Sequence, residues 1–286
     1  MNNFVKRTIT GSLFVIITVA LIVINEWTFL TFLLIANIWL SFEFLRLSST
    51  EIIKPNFITT ILTGTLAILM VFLNNYCCFD HGLYWIILLF VMLIFIEELF
   101  RKNENPLQNI SVSVLSLVYI SLPLVISVLL VKGNLFYYQI GSGFNPGVLL
   151  GILILIWIFD SMAYCMGTLF GKKGKHKLFE RISPKKSWEG TIGGAIFAII
   201  AGYFICLLFP VLSRLDWLVI SAIIIVFGTL GDLIESMFKR SSHIKDSGHL
   251  LPGHGGLLDR LDSFIFTVPW VFFYLLLKES YLICVC

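Results

Sequence analysis

Long apolar runs separated by short polar breaks occupy the chain from residue 8 to residue 281. A helix that crosses a bilayer needs about 20 mostly apolar residues, and isolated strands cannot satisfy their backbone hydrogen bonds in lipid. The pattern therefore predicts an all-α, polytopic membrane helix bundle with about nine transmembrane helices. The predicted spans are residues 8–24, 27–45, 57–73, 84–100, 110–131, 147–169, 190–210, 215–231 and 263–281.

The amino-acid composition agrees with this architecture. Of the 286 residues, 58% are hydrophobic and only 13% are charged, whereas about a quarter of the residues in soluble proteins are charged. We therefore exclude an ordinary soluble protein and predict a single integral membrane domain over residues 1–286. Residues 1–131 carry little chemistry and are expected to be scaffold helices, with Glu43, Glu97 and Glu98 as interfacial residues. Residues 147–281 are expected to be the catalytic helices.

The positions of the cationic residues predict the orientation of the helices. If the N-terminus is cytoplasmic, 17 of the 20 Lys and Arg residues lie in inside loops, which satisfies the positive-inside rule. Only Lys132, Arg214 and Lys278 then lie outside. The charge-rich loops, residues 170–189 and 232–262, are both predicted to face the cytoplasm, where nucleotides are found.

The sixth and seventh predicted spans each carry an unusual feature. Asp160 lies within the sixth span, in the sequence IWIFDSMAY, where an ionisable group is unfavourable unless it faces a cavity or a partner. We interpret Asp160 as functional, with a structural hydrogen bond to a neighbouring helix as the alternative. The seventh span has Gly190, Gly194, Ala198 and Gly202 at intervals of four, which predicts close helix packing.

A basic loop precedes the seventh span and ends in Ser183-Pro184-Lys185-Lys186-Ser187-Trp188-Glu189-Gly190. Ser183 or Ser187 can cap the helix that follows, and helix N-termini attract phosphate. We therefore predict an anion site that includes Lys185 and Lys186. The alternative is a solvated basic loop that binds only the anionic inner leaflet of the membrane.

The stretch from Gly231 to Ser263 concentrates five carboxylates, four cations and three histidines. Asp232 and Glu235 are three residues apart at the end of the eighth span and share a helix face, as do Asp259 and Asp262 before the ninth span. The two pairs could meet across a cleft, where a divalent cation such as Mg²⁺ would offset their mutual repulsion. The alternative is a salt-bridge network with Lys239, Arg240 and Arg260.

The same stretch contains the run Pro252-Gly253-His254-Gly255-Gly256. No second His or Cys stands at a zinc-like spacing from His254, so we do not predict zinc. Instead, the Gly255-Gly256 turn is expected to bring backbone N–H groups close to an oxyanion, with His254 as a further donor.

A magnesium-dependent phosphate site that opens onto a bilayer suggests that a lipid phosphate meets a water-soluble nucleotide. Phosphoryl and nucleotidyl transfer both require in-line attack and neutralisation of phosphate charge. Two alternatives remain at this point: transfer of a phosphoryl or cytidylyl group to another lipid, such as an isoprenoid, and a transporter whose charged loops gate an anion path.

Three motifs resemble those of one enzyme family. The longest is Ser236-x-x-Lys239-Arg240-x-x-x-x-Lys245-Asp246-x-Gly248 followed by Pro252-Gly253-His254-Gly255-Gly256-x-x-Asp259-Arg260-x-Asp262. It resembles the signature of the phosphatidate cytidylyltransferase (CDP-diacylglycerol synthase) family. Residues 183–190 are similar to the second motif of that family, with Ser187 where Thr is usual, and Asp160 with Ala163-Tyr164 and Gly167 is similar to a third, weaker motif. The specific resemblance covers residues 150–265.

The resemblance implies the reaction, the partners and the site. The enzyme would join CTP and phosphatidic acid into CDP-diacylglycerol and pyrophosphate, using Mg²⁺ with possible help from K⁺. It would be a homodimer. Apart from the resemblance, the short loops suggest a bacterial inner membrane, the charge distribution predicts an active site that faces the cytoplasm, and no nucleic acid is expected as a partner. The implied metal ligands are Asp232, Asp259 and Asp262; the implied catalytic residues are Lys239, Asp246, His254 and Asp259; the implied substrate-binding residues are Asp160, Ser183, Lys185, Lys186, Arg240, Lys245, Gly255, Gly256 and Arg260.

Overall fold

The computed structural model describes residues 3–77, 85–132, 143–171, 176–244, 246–248 and 255–285, and nine continuous helices lie within these ranges. The helices are α1 (Asn3–Val23), α2 (Glu26–Ser48), α3 (Phe57–Cys77), α4 (Trp85–Phe100), α5 (Pro106–Lys132), α6 (Gly147–Phe170), α7 (Trp188–Ile205), α8 (Arg214–Ser241) and α9 (Leu258–Val285). Each corresponds to one predicted span, so the all-α bundle is confirmed. Between α6 and α7, β1 (Lys177–Phe179) and β2 (Ser183–Ser187) form a short antiparallel ribbon, which the sequence did not predict.

Seven of the described helices are long and apolar enough to cross a membrane. The two shorter ones are α4, with 16 residues, and the apolar segment Ile9–Val23 of α1. The chain is therefore a multi-pass membrane protein, and its orientation in the membrane stays a prediction.

The chain divides into two compact units. The first unit comprises Met1–Leu129 and Ser241–Arg260, and the second comprises Leu130–Arg240 and Leu261–Cys286. The first boundary lies close to the predicted end of the scaffold helices at residue 131. The loop after α8, however, groups with those N-terminal helices rather than with the helices predicted to be catalytic. The single domain remains a prediction.

Within the first unit, a buried polar group joins three helices. The amide of Asn37 on α2 donates to Thr65 Oγ1 on α3 at 3.1 Å and accepts from Ser121 Oγ on α5 at 2.7 Å. Ser121 ends a π-helical turn, Leu117–Ser121, just before Pro123. Proline has no N–H and cannot continue regular α-helical hydrogen bonding, so the wider turn accommodates it.

Within the second unit, small residues allow α6, α7 and α8 to approach closely. A Cβ atom added to Gly194 would lie 2.9 Å from Ala163 Cβ on α6, and one added to Gly190 would lie 2.7 Å from the Ala163 carbonyl oxygen. On the same ridge of α7, Gly202 lies against Trp217 and Ser221 of α8. The structure confirms the close packing predicted from the four-residue spacing.

Helices α8 and α9 are held together at two places. In the second half of α8, Gly231 lies against Phe266 and the Asp262 carbonyl oxygen of α9, and Ser263 Oγ donates to the Gly228 carbonyl at 3.2 Å. At the other end, the Asp216 carboxylate binds Lys278 Nζ and the Tyr274 hydroxyl, each at 2.8 Å from Oδ1. These contacts fix the register in which the acidic residues of the two helices meet.

Candidate active site

Three carboxylates meet where α8 and α9 come together. One oxygen from each of Asp232, Glu235 and Asp262 lies within 4.8 Å of the others; we call these three residues the acidic cluster. Asp232 and Glu235 share a face of α8 because they are three residues apart, and Asp262 lies at the start of α9. Glu235 is fully buried and Asp262 is 8% exposed.

Two lysines contact the acidic cluster. Lys186 Nζ lies 2.6 Å from Asp232 Oδ2, and Lys239 forms an ion pair with Glu235 one helical turn earlier on α8. The negative charges of Asp232, Glu235 and Asp160 all act on Asp262. The Asp262 carboxylate is oriented by its own helix, since Oδ1 accepts the Ser263 N–H at 2.7 Å.

The donor set of the acidic cluster fits a divalent metal ion. Carboxylate oxygens are the ligands that Mg²⁺ and other hard cations prefer, and three carboxylates held this closely repel one another unless positive charge lies between them. The three residues could therefore hold a metal ion between α8 and α9.

The β-ribbon delivers Lys186 to Asp232. Its strands pair with Lys177 opposite Ser187 and Phe179 opposite Ser183. Of the two serines predicted as helix caps, Ser187 has this role, since its Oγ accepts the Gly190 N–H at 3.2 Å. The loop is further tied to α7 by a contact of 2.7 Å between His176 Nδ1 and Glu189 Oε1.

A second group of polar contacts lies in the first unit, in the segments 246–248 and 255–259, which we call the signature loop. Asp259 Oδ2 accepts three hydrogen bonds, from the Ser247 N–H and hydroxyl at 3.0 Å each and from the Gly256 N–H at 2.7 Å. Gly255 has a φ of +84°, and a Cβ atom there would lie 2.5 Å from Asp259 Oδ2. Glycine at position 255 is therefore required by the backbone conformation and by the close approach of Asp259.

The structure brings together some of the predicted site residues and adds others. Asp232, Asp262, Lys186 and Lys239 meet at the acidic cluster, together with Glu235, which was paired with Asp232 in the sequence but not counted as a metal ligand. Its three-residue spacing from Asp232 was the signal that could have identified it. The remaining predicted residues that the structure describes are exposed or half-buried: Asp160, Ser183, Lys185, Arg240, Asp246, Gly255, Asp259 and Arg260, with Gly256 buried. Lys245 and His254 lie outside the described residues.

The Gly255-Gly256 turn has a different neighbour from the one expected. The Gly256 N–H, predicted to face a substrate oxyanion, donates to the carboxylate of Asp259 in this structure. The next two N–H groups, of Leu257 and Leu258, donate to the carboxylate of Glu43. From the sequence, Glu43 is predicted only to be an interfacial residue of the scaffold.

Residues 5–278 match the cytidylyltransferase family. The chain belongs to this family. Among its relatives in the family, the phosphatidate cytidylyltransferase of Bacillus subtilis (strain 168) is 30% identical over 97% of this chain and 99% of its own length. The proteins of the same name from Staphylococcus haemolyticus (strain JCSC1435) and Staphylococcus aureus (strain COL) are 40% and 39% identical, each over 59% of this chain and 60% of their own length.

Proposed function

We propose that this chain is a phosphatidate cytidylyltransferase, which transfers the cytidylyl group of CTP to phosphatidic acid and releases pyrophosphate, as a step in phospholipid biosynthesis. The observation that carries the proposal is the acidic cluster with its two lysines, in a chain that matches an enzyme of this name over 97% of its length. The cluster lies on the two helices that carry the two ends of the long sequence motif.

In this reaction, an oxygen of the phosphatidate phosphate attacks the α-phosphorus of CTP. The new P–O bond forms as the bond to the β-phosphate breaks, and pyrophosphate leaves with the electron pair. The attacking phosphate is already ionised at neutral pH, so no strong general base is needed. The chain is required to orient the two phosphates in line and to neutralise their charge.

Asp232, Glu235 and Asp262 would hold Mg²⁺, with Asp259 as a further ligand on the strength of the motif resemblance. Bound Mg²⁺ supplies positive charge to the reacting phosphates. A contribution from K⁺ rests on the resemblance alone.

The remaining roles concern the substrates. Lys186 and Lys239 would hold the phosphates beside the carboxylates that they contact, and Lys185, Arg240, Lys245 and Arg260 would bind phosphate oxygens further out. We assign Asp160 and Ser183 to substrate contacts, the Gly255 backbone to a contact with a substrate oxygen, and Asp246 and His254 to positioning of the reacting groups. The Gly256 N–H binds Asp259 and is not assigned to the substrate. These roles follow the family motifs.

The enzyme is further proposed to act at the cytoplasmic side of a bacterial inner membrane, as a homodimer. The excess of Lys and Arg in the loops predicted to face inward supports an active site on the cytoplasmic side of the membrane. The assignment to a bacterial inner membrane rests on the short loops between the spans. The homodimer is supported only by the motif resemblance.

The proposed function is tested by incubating purified protein in detergent or liposomes with CTP labelled at the α-phosphate. With phosphatidic acid and Mg²⁺, we expect label in a CDP-lipid and one pyrophosphate per turnover, and neither product when EDTA replaces Mg²⁺. Phosphatidic acid should be compared with an isoprenyl phosphate and with neutral acceptor lipids. Release of CDP would indicate a lipid kinase. Transfer only to the isoprenyl phosphate would indicate a different cytidylyltransferase. Uptake of anions by the liposomes without nucleotide turnover would indicate a transporter.

The β-ribbon offers a prediction with a matched control. Lys186→Ala removes the cation that contacts Asp232, so we expect kcat/KM for CTP to fall about a hundredfold through lost charge stabilisation of the phosphates. Lys177→Ala removes the same charge from the neighbouring strand of the ribbon and should leave kcat/KM within about twofold. Steady-state kinetics of both variants checks this. Equal losses would show that the ribbon acts only as a basic surface.

A further inference from the structure

Glu43 on α2 lies far from the family motifs in the sequence, yet its carboxylate is bound to the signature loop. The residue is 4% exposed. Oε2 accepts the Leu258 N–H at 2.8 Å and the Ser247 hydroxyl at 3.3 Å, and Oε1 accepts the Leu257 N–H at 3.1 Å and Trp39 Nε1 at 3.0 Å. The two backbone donors belong to the first turn of α9 and the residue before it, where a negative charge is stabilised by the helix dipole.

Two glycines of the motif provide the space for this carboxylate. A Cβ atom added to Gly248 would lie 3.0 Å from Glu43 Cδ and closer still to Oε1. A Cβ atom added to Gly256 would lie 2.6 Å from Glu43 Oε2 and 2.8 Å from Oε1. Both distances are shorter than an ordinary van der Waals contact, so any larger residue at either position would displace Glu43 or the loop.

Glu43 and Asp259 hold the loop jointly. The Ser247 hydroxyl lies 3.0 Å from Asp259 Oδ2 and 3.3 Å from Glu43 Oε2. Three successive N–H groups are divided between the two carboxylates, Gly256 donating to Asp259 and the next two residues donating to Glu43. The conformation of the turn before α9, and the orientation of the Asp259 side chain, therefore depend on a residue of α2.

We propose that Glu43 is a positioning residue for the reaction, which holds the signature loop in the conformation that the substrates require. This inference rests on the proposed function, because the loop carries motif residues assigned to metal and substrate. The hydrogen bonds are charge-assisted and buried, which makes them stronger than neutral ones at the surface. The N-terminal helices thus contribute to the active enzyme beyond acting as a scaffold.

Glu98 provides a matched control in the same unit. It is a glutamate of α4, 3% exposed, and its carboxylate accepts from Asn109 at 2.6 Å and from Asn103 at 3.0 Å, with Arg101 at 3.3 Å. None of these four residues belongs to the signature loop. Glu98→Gln therefore removes a buried charge of the same kind without touching that loop.

The test compares Glu43→Gln with Glu98→Gln by hydrogen–deuterium exchange and by kinetics. In Glu43→Gln, we expect the amides of residues 256–258 to exchange about tenfold faster, because the side-chain amide offers only one acceptor oxygen to donors that now bind two. The kcat should fall about tenfold in the same variant. Glu98→Gln should change neither quantity by more than about twofold, although its melting temperature falls.

The exchange measurement separates this inference from the proposed function. If wild-type protein makes no CDP-lipid but Glu43→Gln loosens residues 256–258, the proposed function fails and the positioning by Glu43 stands. If wild-type protein is active and Glu43→Gln leaves both the exchange and kcat unchanged, the inference is wrong. Equal changes in Glu43→Gln and Glu98→Gln would also overturn it, since Glu43 would then be an ordinary buried carboxylate.

A double-mutant cycle gives a second, independent test. Gly248→Ala should lower kcat about tenfold because the added methyl group collides with Glu43. In a Glu43→Ala background, where the carboxylate is absent, the same substitution should lower kcat further by less than about twofold. If the two losses simply multiply, Gly248 is required for a reason other than Glu43, and the proposed positioning is contradicted.

Discussion

Asp262→Asn should abolish nucleotidyl transfer and at the same time raise the thermal stability of the metal-free protein. The variant keeps the size of the side chain and the oxygen that accepts the Ser263 N–H. It removes one of the three charges with which the acidic cluster would hold Mg²⁺, so kcat should fall about a thousandfold or more. The melting temperature should rise by a few degrees, because a neutral amide replaces a carboxyl group whose charged form is disfavoured first by burial and then by the negative charges of Asp232, Glu235 and Asp160.

The measurement is thermal unfolding in detergent, with EDTA and with increasing Mg²⁺, alongside the cytidylyl-transfer assay. Wild-type protein should be stabilised by Mg²⁺ because the ion binds the folded state, whereas Asp262→Asn should show little further increase. Glu104→Gln, at an exposed loop position, controls for the loss of any one negative charge and should behave as wild type. Magnesium-dependent turnover and a full magnesium-induced shift in Asp262→Asn would contradict the metal assignment.

The fold could be predicted because lipid imposes a simple rule on the sequence. Apolar segments of about 20 residues must be helices in a bilayer, and each of the nine predicted segments corresponds to one described helix. The β-ribbon was not predicted, because it consists of only three and five residues within a polar loop. The π-helical turn at Ile224–Gly228 has no comparable sequence signal, since no proline follows it as Pro123 follows the turn in α5.

The acidic cluster was partly predictable for a related reason. Helical spacing shows that Asp232 and Glu235 share a face, and the positions of the motifs indicate that α8 and α9 carry the chemistry. The contact between Lys186 and Asp232 could not be predicted from the sequence, because it depends on how the β-ribbon leads into α7. Spacing within one element can be read from sequence, whereas contacts between elements depend on tertiary packing.

Glu43 is the clearest case of a contact that could not be predicted from the sequence. It lies 214 positions from Leu257, whose N–H it accepts, and in the sequence it is one acidic residue near the end of an apolar helix. Gly248 and Gly256 were the available signal, since a glycine often marks a close approach of the backbone to another group. The sequence suggested a phosphate as that group; the structure shows the carboxylate of Glu43 there.

Lys278→Ala should cause the largest loss of stability among the substitutions considered, and it should do so without impairing catalysis in the folded protein. Asp216 is 2% exposed, and Lys278 Nζ lies 2.8 Å from Oδ1 and 2.6 Å from Oδ2. Removing the lysine leaves a buried carboxylate without its ammonium partner, for which a loss of about 3–5 kcal/mol is typical. This pair lies about 24 Å along α8 from Asp232, at 1.5 Å per residue.

Because the ion pair lies far from Asp232 along α8, the effect of Lys278→Ala on stability can be measured separately from its effect on activity. Thermal unfolding of Lys278→Ala should begin at a much lower temperature than that of wild type, while kcat of the folded fraction should stay within about twofold. Arg214→Ala is the matched control, because Arg214 is an exposed cation at the same end of α8 that contacts Tyr203, and it should change stability by less than about 1 kcal/mol. Adding Asp216→Asn to Lys278→Ala should restore part of the loss, since the buried charge is then removed as well. If Lys278→Ala were no less stable than Arg214→Ala, the ion pair would not hold α8 and α9 in register. The contacts of Gly231 and Ser263 would then have to position the acidic cluster.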